Sequence, residues 1–389
     1  MVSFLLAIIY VAFISLGLPD SILGSVWPVM HESLGVAVSS QGILSMVISV
    51  GTIISSVYSS FFIQKFGTGK VTAISVGMTA LALFGFSVSG SFWMLCLWAV
   101  PYGLGAGSVD AALNNFVALH YKAHHMNWLH CFWGLGATLG PYIMGMCLSG
   151  GMTWPAGYRV ISALQIALTA VLVFSLPLWK RVEHTQSVGT KEGMHSVSLR
   201  EALKITGAKP ILAAFFCYCA VEATTGLWGS SYFVMDRGIA VETAAKWGAV
   251  FFLGVTLGRL VSGFLSMKIN EKNMIRLGQC IAFFGVTLLA CSGNAFFLCA
   301  GYVLIGIGCA PIYPSMLHVT PENFGKEASQ AMMGVQMACA YLGTTLIPPL
   351  FGLIAQHVSI HWYPFYLMIF IAVMFIMTEY VNRKKSKKE

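Results

Sequence analysis

Twelve runs of mostly apolar residues, each about 20 residues long or longer, follow one another along this 389-residue chain. Hydrocarbon offers no water to an unpaired backbone N–H or C=O. A run of that length inside a bilayer must therefore be a helix, which closes its hydrogen bonds within itself. The runs lie at roughly 3–30, 37–63, 69–89, 92–120, 125–149 and 157–179. After a polar interval they resume at roughly 210–235, 244–267, 273–293, 295–320, 327–356 and 360–381. A tilted barrel strand needs only about 9–11 residues, so a β-barrel is excluded. Charged residues make up 9% of the chain, against about a quarter in a soluble domain, which excludes a water-soluble globule. The 57% of apolar residues equally excludes a solvated, disordered chain. The expected fold class is an all-α membrane protein with twelve transmembrane helices.

Lys and Arg in the short joints give the orientation, because they concentrate on the cytoplasmic side. With both ends in the cytoplasm, 18 of the 22 Lys and Arg fall there, leaving Arg159, Arg237, Lys246 and Arg259 elsewhere. The net charge of +8 thus marks one membrane face, and no nucleic-acid partner is expected. The start MVSFLLAIIY has no basic stretch before its apolar run and no small-residue cleavage pattern after it. It reads as a retained first span, not a removed signal peptide. A multi-pass protein of the cell inner or plasma membrane is expected. The ten cysteines lie almost wholly inside spans and read as packing residues. Four regions follow: a six-helix bundle at 1–179, a cytoplasmic linker at 180–209, a second six-helix bundle at 210–381, and a basic tail at 382–389. In the linker, Ser198 and Glu201 have the spacing of a capping box and predict a short surface helix. The tail RKKSKKE reads as an anchor drawn to anionic lipid.

The two sets of six spans repeat. A shift of 203 residues lays Gly51 on Gly254, Lys65 on Lys268, Gly103 on Gly306 and Gly105 on Gly308. A shift of 202 lays Asp20 on Glu222, and a shift of 207 lays GATLGPYIMG at 136–145 on GTTLIPPLFG at 343–352. Four helix pairs at offsets within a few residues of one another exceed what scattered glycines produce. A six-plus-six parallel repeat is the pattern of an alternating-access transporter.

A carboxylate near the bilayer centre costs several kcal/mol unless it faces a cavity or a partner. Asp20, Asp110 and Glu222 sit at that depth, and cations there are fewer: Arg259 lies about a third of the way into its span, and Arg159 at an outer end. At least one acid should therefore take up a proton, which is the chemistry a proton-coupled carrier needs. Asn114 lies one helical turn after Asp110 and shares its face, with Gly103 and Gly107 thinning the helix nearby. In the next span Asn127, His130 and Gly134 share a face. Together these residues predict a water-filled cavity. The second half is richer in aromatic and amide groups, namely Trp228, Tyr313, Gln330, Gln336 and Tyr341, which suit a polyol ring. Trp27 and Trp128 are expected in interfacial belts. His120, His124 and His125 are expected to be solvated at a loop.

The helix 1 segment LPDSILGSVWP resembles the fucose–proton symporter group of the major facilitator superfamily. So does the helix 4 to helix 5 stretch GLGAGSVDAALNNFVALHY…NWLHCFWGLGATLGP. The superfamily resemblance extends over essentially the whole chain. It implies two six-helix bundles related by a pseudo-two-fold axis. It also implies an acid in helix 1 and one in helix 4, with a nearby Asn, serving proton coupling and sugar recognition. By position these are Asp20, Asp110 and Asn114. The sequence departs from the group in carrying Asp110 where Glu is common. Gln64 and Met267 stand where the loop acids of the cytoplasmic gate would be.

The expected protein is a monomeric, proton-coupled importer of a small polar solute, most simply a monosaccharide, working by rocker-switch alternating access. Asp20 and Asp110 are the proton-coupling candidates. Asn114, His130, Glu222, Trp228, Tyr313 and Gln336 are the solute-contact candidates, and Lys65 and Arg259 the gating ones. The rivals are a drug–proton antiporter, a sugar uniporter and a solute sensor. No catalytic constellation or metal-ligand cluster converges within the spans, so neither an enzyme nor a cofactor is expected.

Overall fold

The computed structural model describes residues 2–120, 123–185, 205, 207–266, 268–324 and 326–386. The capping box at Ser198–Glu201, most of the linker, Met267 and the end of the tail lie outside the described residues, as do the side chains of Gln64, His120, His124, Asn127 and Gln330. The first helices are α1 (Val2–Asp20), α2 (Ile22–Ser33), α3 (Ser40–Phe66), α4 (Thr68–Val88), α5 (Phe92–His120), α6 (Ala123–Ser149) and α7 (Trp154–Thr185). They are followed by α8 (Ala208–Met235), α9 (Val241–Leu265), α10 (Glu271–Cys291) and α11 (Ala295–Cys309). Two short helices, α12 (Ile312–His318) and α13 (Thr320–Phe324), precede the long α14 (Lys326–Ile354) and α15 (Tyr363–Ser386). Among the described residues, ten stretches are long and apolar enough to cross a membrane. One of them, Val335–Lys384, has 50 residues and covers two crossings, and the apolar Ser40–Ser56 adds a shorter one. The twelve expected spans are all accounted for.

Two spans are not the continuous helices expected. The first divides at Ser21 into α1 and α2. Pro19 lacks an N–H and its ring crowds the carbonyl one turn earlier, which loosens the ladder there. The tenth divides at Ala310–Pro311 into α11 and α12. A π-helical turn at Ala355–Ser359 and a 3-10 turn at Ile360–Trp362 join α14 to α15.

Two compact units form: Met1–Thr190 with Phe233–Ala249, and Lys191–Tyr232 with Val250–Glu389. In the first, α3 lies against α5, α4 against α5 and α7, and α1 against α6. Leu5, Phe13, Val76, Leu113, Phe116 and Trp179 anchor its buried core. In the second, α10 packs against α11 and α15, and α14 against α13.

The glycines of the repeat explain how both units close. A Cβ on Gly103 of α5 would collide with the carbonyl oxygen of Ile48 on α3. A Cβ on its counterpart Gly306 of α11 would collide with that of Phe251 on α9, and 251 is 48 shifted by the same 203 residues. A Cβ on Gly105 would likewise lie 2.6 Å from the Ser75 carbonyl oxygen, and one on Gly308 2.6 Å from that of Gly278, again in register. Small residues let membrane helices approach backbone to backbone, where packing and short polar contacts replace the hydrophobic effect. Thr52 and Ser56 of α3 use the close approach to donate to the carbonyls of Gly103 and Gly107 at 3.3 and 3.2 Å. These two glycines therefore pack against α3 and do not thin the wall of a cavity, which corrects the expectation.

Trp27, expected in an interfacial belt, is fully buried and donates its indole N–H to the Val38 carbonyl at 2.9 Å. His125, expected to be solvated, is half-buried, with Nδ1 2.8 Å from the Tyr10 hydroxyl. Trp128 is exposed as expected.

Gly103→Ala and Gly306→Ala should each destabilise the protein by about 1–3 kcal/mol through overpacking. Gly263→Ala, where an added Cβ meets nothing within 4 Å, should be neutral or slightly stabilising. Thermal midpoints of the detergent-purified variants check this.

Candidate functional site

Asp20 is the last residue of α1, at the break in the first span. Its side chain is exposed, although Leu18, Pro19, Ser21 and Ile22 around it are buried. Both carboxylate oxygens are held by donors from other helices. The Tyr102 hydroxyl of α5 donates to Oδ1 at 3.0 Å, and the Trp133 indole N–H of α6 donates to Oδ2 at 3.1 Å. Asp110 on α5 is half-buried and accepts from Asn114 Nδ2 at 2.9 Å, the pairing that one-turn spacing predicts. The same amide reaches the Asp110 carbonyl at 3.0 Å, which fixes its direction. Among the described residues, the side chains that hydrogen-bond these two carboxylates, Tyr102, Trp133 and Asn114, are all neutral. His130 is half-buried and meets the Phe13 ring edge-on at 5.8 Å.

The second unit holds its acid differently. Glu222 on α8 accepts from the Tyr218 hydroxyl, four residues earlier on the same helix, at 2.7 Å. Its other oxygen lies 3.4 Å from a guanidinium nitrogen of Arg259 on α9. That distance is longer than the roughly 2.7–2.9 Å of a tight charge-assisted bond. The two side chains are 18% and 21% exposed, so the pair is only partly desolvated. The Tyr313 ring stands 5.2 Å from Phe215 and 6.1 Å from Tyr218, with its hydroxyl 3.1 Å from the Met337 sulfur.

Of the remaining candidates, Trp228 and Gln336 lie apart from these clusters. Trp228 is fully buried, donates to the Pro348 carbonyl at 2.8 Å and packs on Phe351. Gln336 is fully buried and accepts from Thr320 at 3.0 Å. Both side chains are engaged in packing within their own unit and present no surface to a solute in this structure. Arg259, expected at a gate, is directed at Glu222. Lys65 is exposed, with its ammonium over the rings of Phe61 and Phe66 at 5.9 and 5.5 Å. Among the described residues no group of three or more His, Cys, Asp or Glu converges as metal ligands. Sequence reasoning missed Tyr102, Trp133 and Tyr218. Tyr218 could have been found from its one-turn spacing to Glu222, whereas Tyr102 and Trp133 reach Asp20 only through the tertiary fold.

The family model of the Major Facilitator Superfamily matches residues 9–248 and 236–389. The chain belongs to the major facilitator superfamily. This facilitator is 23% identical over 394 residues to Bypass of stop codon protein 6 of Saccharomyces cerevisiae, covering 93% of this chain and 79% of that protein. It is 21% identical over 355 residues to the glucose/mannose transporter GlcP of Bacillus subtilis, covering 88% and 86%. It is also 22% identical over 384 residues to multidrug resistance protein 2 of the same organism, covering 95% and 92%. A crystal structure of the nucleoside transporter NupG matches with a TM-score of 0.79 over 97% of this chain and 98% of that one, at 14% identity. The fold is thus that of a major facilitator transporter, a multi-pass membrane protein and not an enzyme.

Arg259→Met should leave the Glu222 charge facing only Tyr218 and cost about 2 kcal/mol. That is less than the roughly 3–5 kcal/mol of a fully buried pair, since both side chains keep some solvent. The double variant E222Q/R259M should recover most of the loss. A double variant as unstable as the sum of the two single ones would show that the pair is not coupled.

Proposed function

We propose that this facilitator is a proton-coupled transporter that imports a small polar solute, a monosaccharide, by alternating access. The carrying observation is the contrast between its acids. Glu222 has a guanidinium beside it, whereas the donors that hold Asp20 and Asp110 among the described residues are neutral. Deep carboxylates that meet neutral donors and no cation favour a state in which one of them carries a proton. Binding or releasing that proton changes the charge of the site by one unit, which is what coupling to a proton gradient requires.

The solute reading rests on polar and aromatic groups of the first unit. Asn114, His130, Tyr102 and Trp133 offer hydrogen bonds and aromatic faces, the combination that suits a polyol whose C–H face stacks while its hydroxyls pair. A relative named for glucose and mannose transport supports a sugar. Asp20 and Asp110 take the proton-coupling role, and Asn114, His130, Glu222 and Tyr313 the solute contacts. The six-helix bundles 1–179 and 210–381 are the moving bodies, Lys65 and Arg259 contribute to gating, and the protein acts as a monomer. Both termini face the cytoplasm of a cell membrane, as the distribution of Lys and Arg supports.

A drug–proton antiporter is the second reading, favoured by the relative named for multidrug resistance. It uses the same acids but carries apolar cations outward.

In proteoliposomes, Asp110→Asn should abolish concentrative sugar uptake driven by a pH gradient while leaving sugar counterflow. Accumulation by the variant would remove Asp110 from coupling. Gradient-driven movement of cationic dyes, with no response to any sugar, would select the antiporter.

A further inference from the structure

The last helix, α15, buries one face and leaves another open. Leu367, Ile371, Met374, Thr378 and Val381 are buried and recur at helical spacing toward the rest of the second unit. The opposite side forms a groove lined by Phe375, Ile376, Glu379, Tyr380, Arg383 and Lys384. Along the helix these residues change in character by regular steps. Phe375 and Ile376 are 40% and 58% exposed and apolar, and Tyr380, one turn on, is 52% exposed and amphipathic. Arg383 and Lys384, one turn further, are exposed and cationic.

The one acid in the groove is already neutralised. Arg276 of α10 reaches both oxygens of Glu379 with a forked pair of hydrogen bonds, the second at 2.8 Å, and Asn382 donates to it as well at 3.3 Å. The basic turn is thereby left with a net positive charge. The ammonium of Lys384 lies 5.8 Å from the centre of the Tyr380 ring, which ties the aromatic and cationic steps of the groove together.

We infer that this face of α15 is a binding site for one anionic phospholipid. Its phosphodiester sits at Arg383 and Lys384, its glycerol region beside Tyr380, and an acyl chain along Ile376 and Phe375. The order of apolar, aromatic and cationic steps matches the order of groups in a lipid lying along the helix. A second copy of the chain fits less well, because a self-complementary contact across this face would set Arg383 and Lys384 against their own copies. The site is independent of the transport reaction proposed above, since it uses none of the residues assigned to it.

The test uses the full-length protein, delipidated in detergent, with bound lipid counted by native mass spectrometry. Phosphatidylglycerol and phosphatidylcholine with identical chains are titrated in separate arms, and inorganic phosphate in a third. One phosphatidylglycerol should be retained in preference to phosphatidylcholine, and inorganic phosphate at the same concentration should not displace it. Each basic residue near a headgroup contributes about fivefold in affinity. The double variant R383Q/K384Q should therefore weaken phosphatidylglycerol roughly thirtyfold and leave phosphatidylcholine unchanged. Ile376→Ser should weaken both lipids. All three substituted side chains are exposed, so folding should be retained. A preference that survives in R383Q/K384Q would overturn the site, as would one lost only in K385Q/K387Q/K388Q. Dimers in place of bound lipid would also overturn it.

Discussion

A carboxylate surrounded by hydrocarbon must be met by donors or cations from its own protein, and the way each acid here is met organises the helices around it. Asp20 can be satisfied only because α5 and α6 bring Tyr102 and Trp133 to it from two directions. The break after Asp20 follows the close seam between α1 and α6, where backbone meets backbone at Gly136 and Gly140. Around this polar point the rest of the unit closes by small-residue packing, with hydroxyls of Thr52 and Ser56 donating to neighbouring carbonyls.

The repeat preserves backbone geometry and alters chemistry. The contacts of Gly103 and Gly105 recur at Gly306 and Gly308 with the same offset, down to the carbonyls they face. At that offset Ser56 becomes Arg259, and Asp110 becomes Tyr313. The second unit thus gains a cation beside Glu222 and a phenol where the first unit has Asp110. One bundle is left with two carboxylates and neutral donors, the other with an ion pair ringed by Tyr218, Tyr313 and Phe215. Duplication supplied two equivalent scaffolds, and divergence at a few positions separated carboxylates held by neutral donors from an ion-paired one.

The parts legible in the sequence were those carried by local spacing. Apolar run length located every span, the glycine offset exposed the repeat, and the one-turn spacing of Asp110 and Asn114 placed them on one face. What escaped depends on contacts between distant segments. Nothing near Trp27 announces that Val38 will accept its N–H and draw it inside. Trp228 looked available to a solute until α14 placed the Pro348 carbonyl over its nitrogen. Pro19 and Pro311 lie at the breaks in the first and tenth spans, but other prolines, such as Pro101 and Pro141, sit inside unbroken helices. Proline alone therefore does not reveal where a helix parts.

The central claim is that Asp20 and Asp110, which meet only neutral donors among the described residues, exchange a proton when solute binds. The most direct measurement is the pH change on adding monosaccharide to concentrated, purified protein in lightly buffered detergent. Solute binding should move protons between protein and solution in the wild type, and this signal should vanish in D20N/D110N. Saturable sugar binding with no proton movement, at any pH across the range where the protein is folded, would contradict the claim.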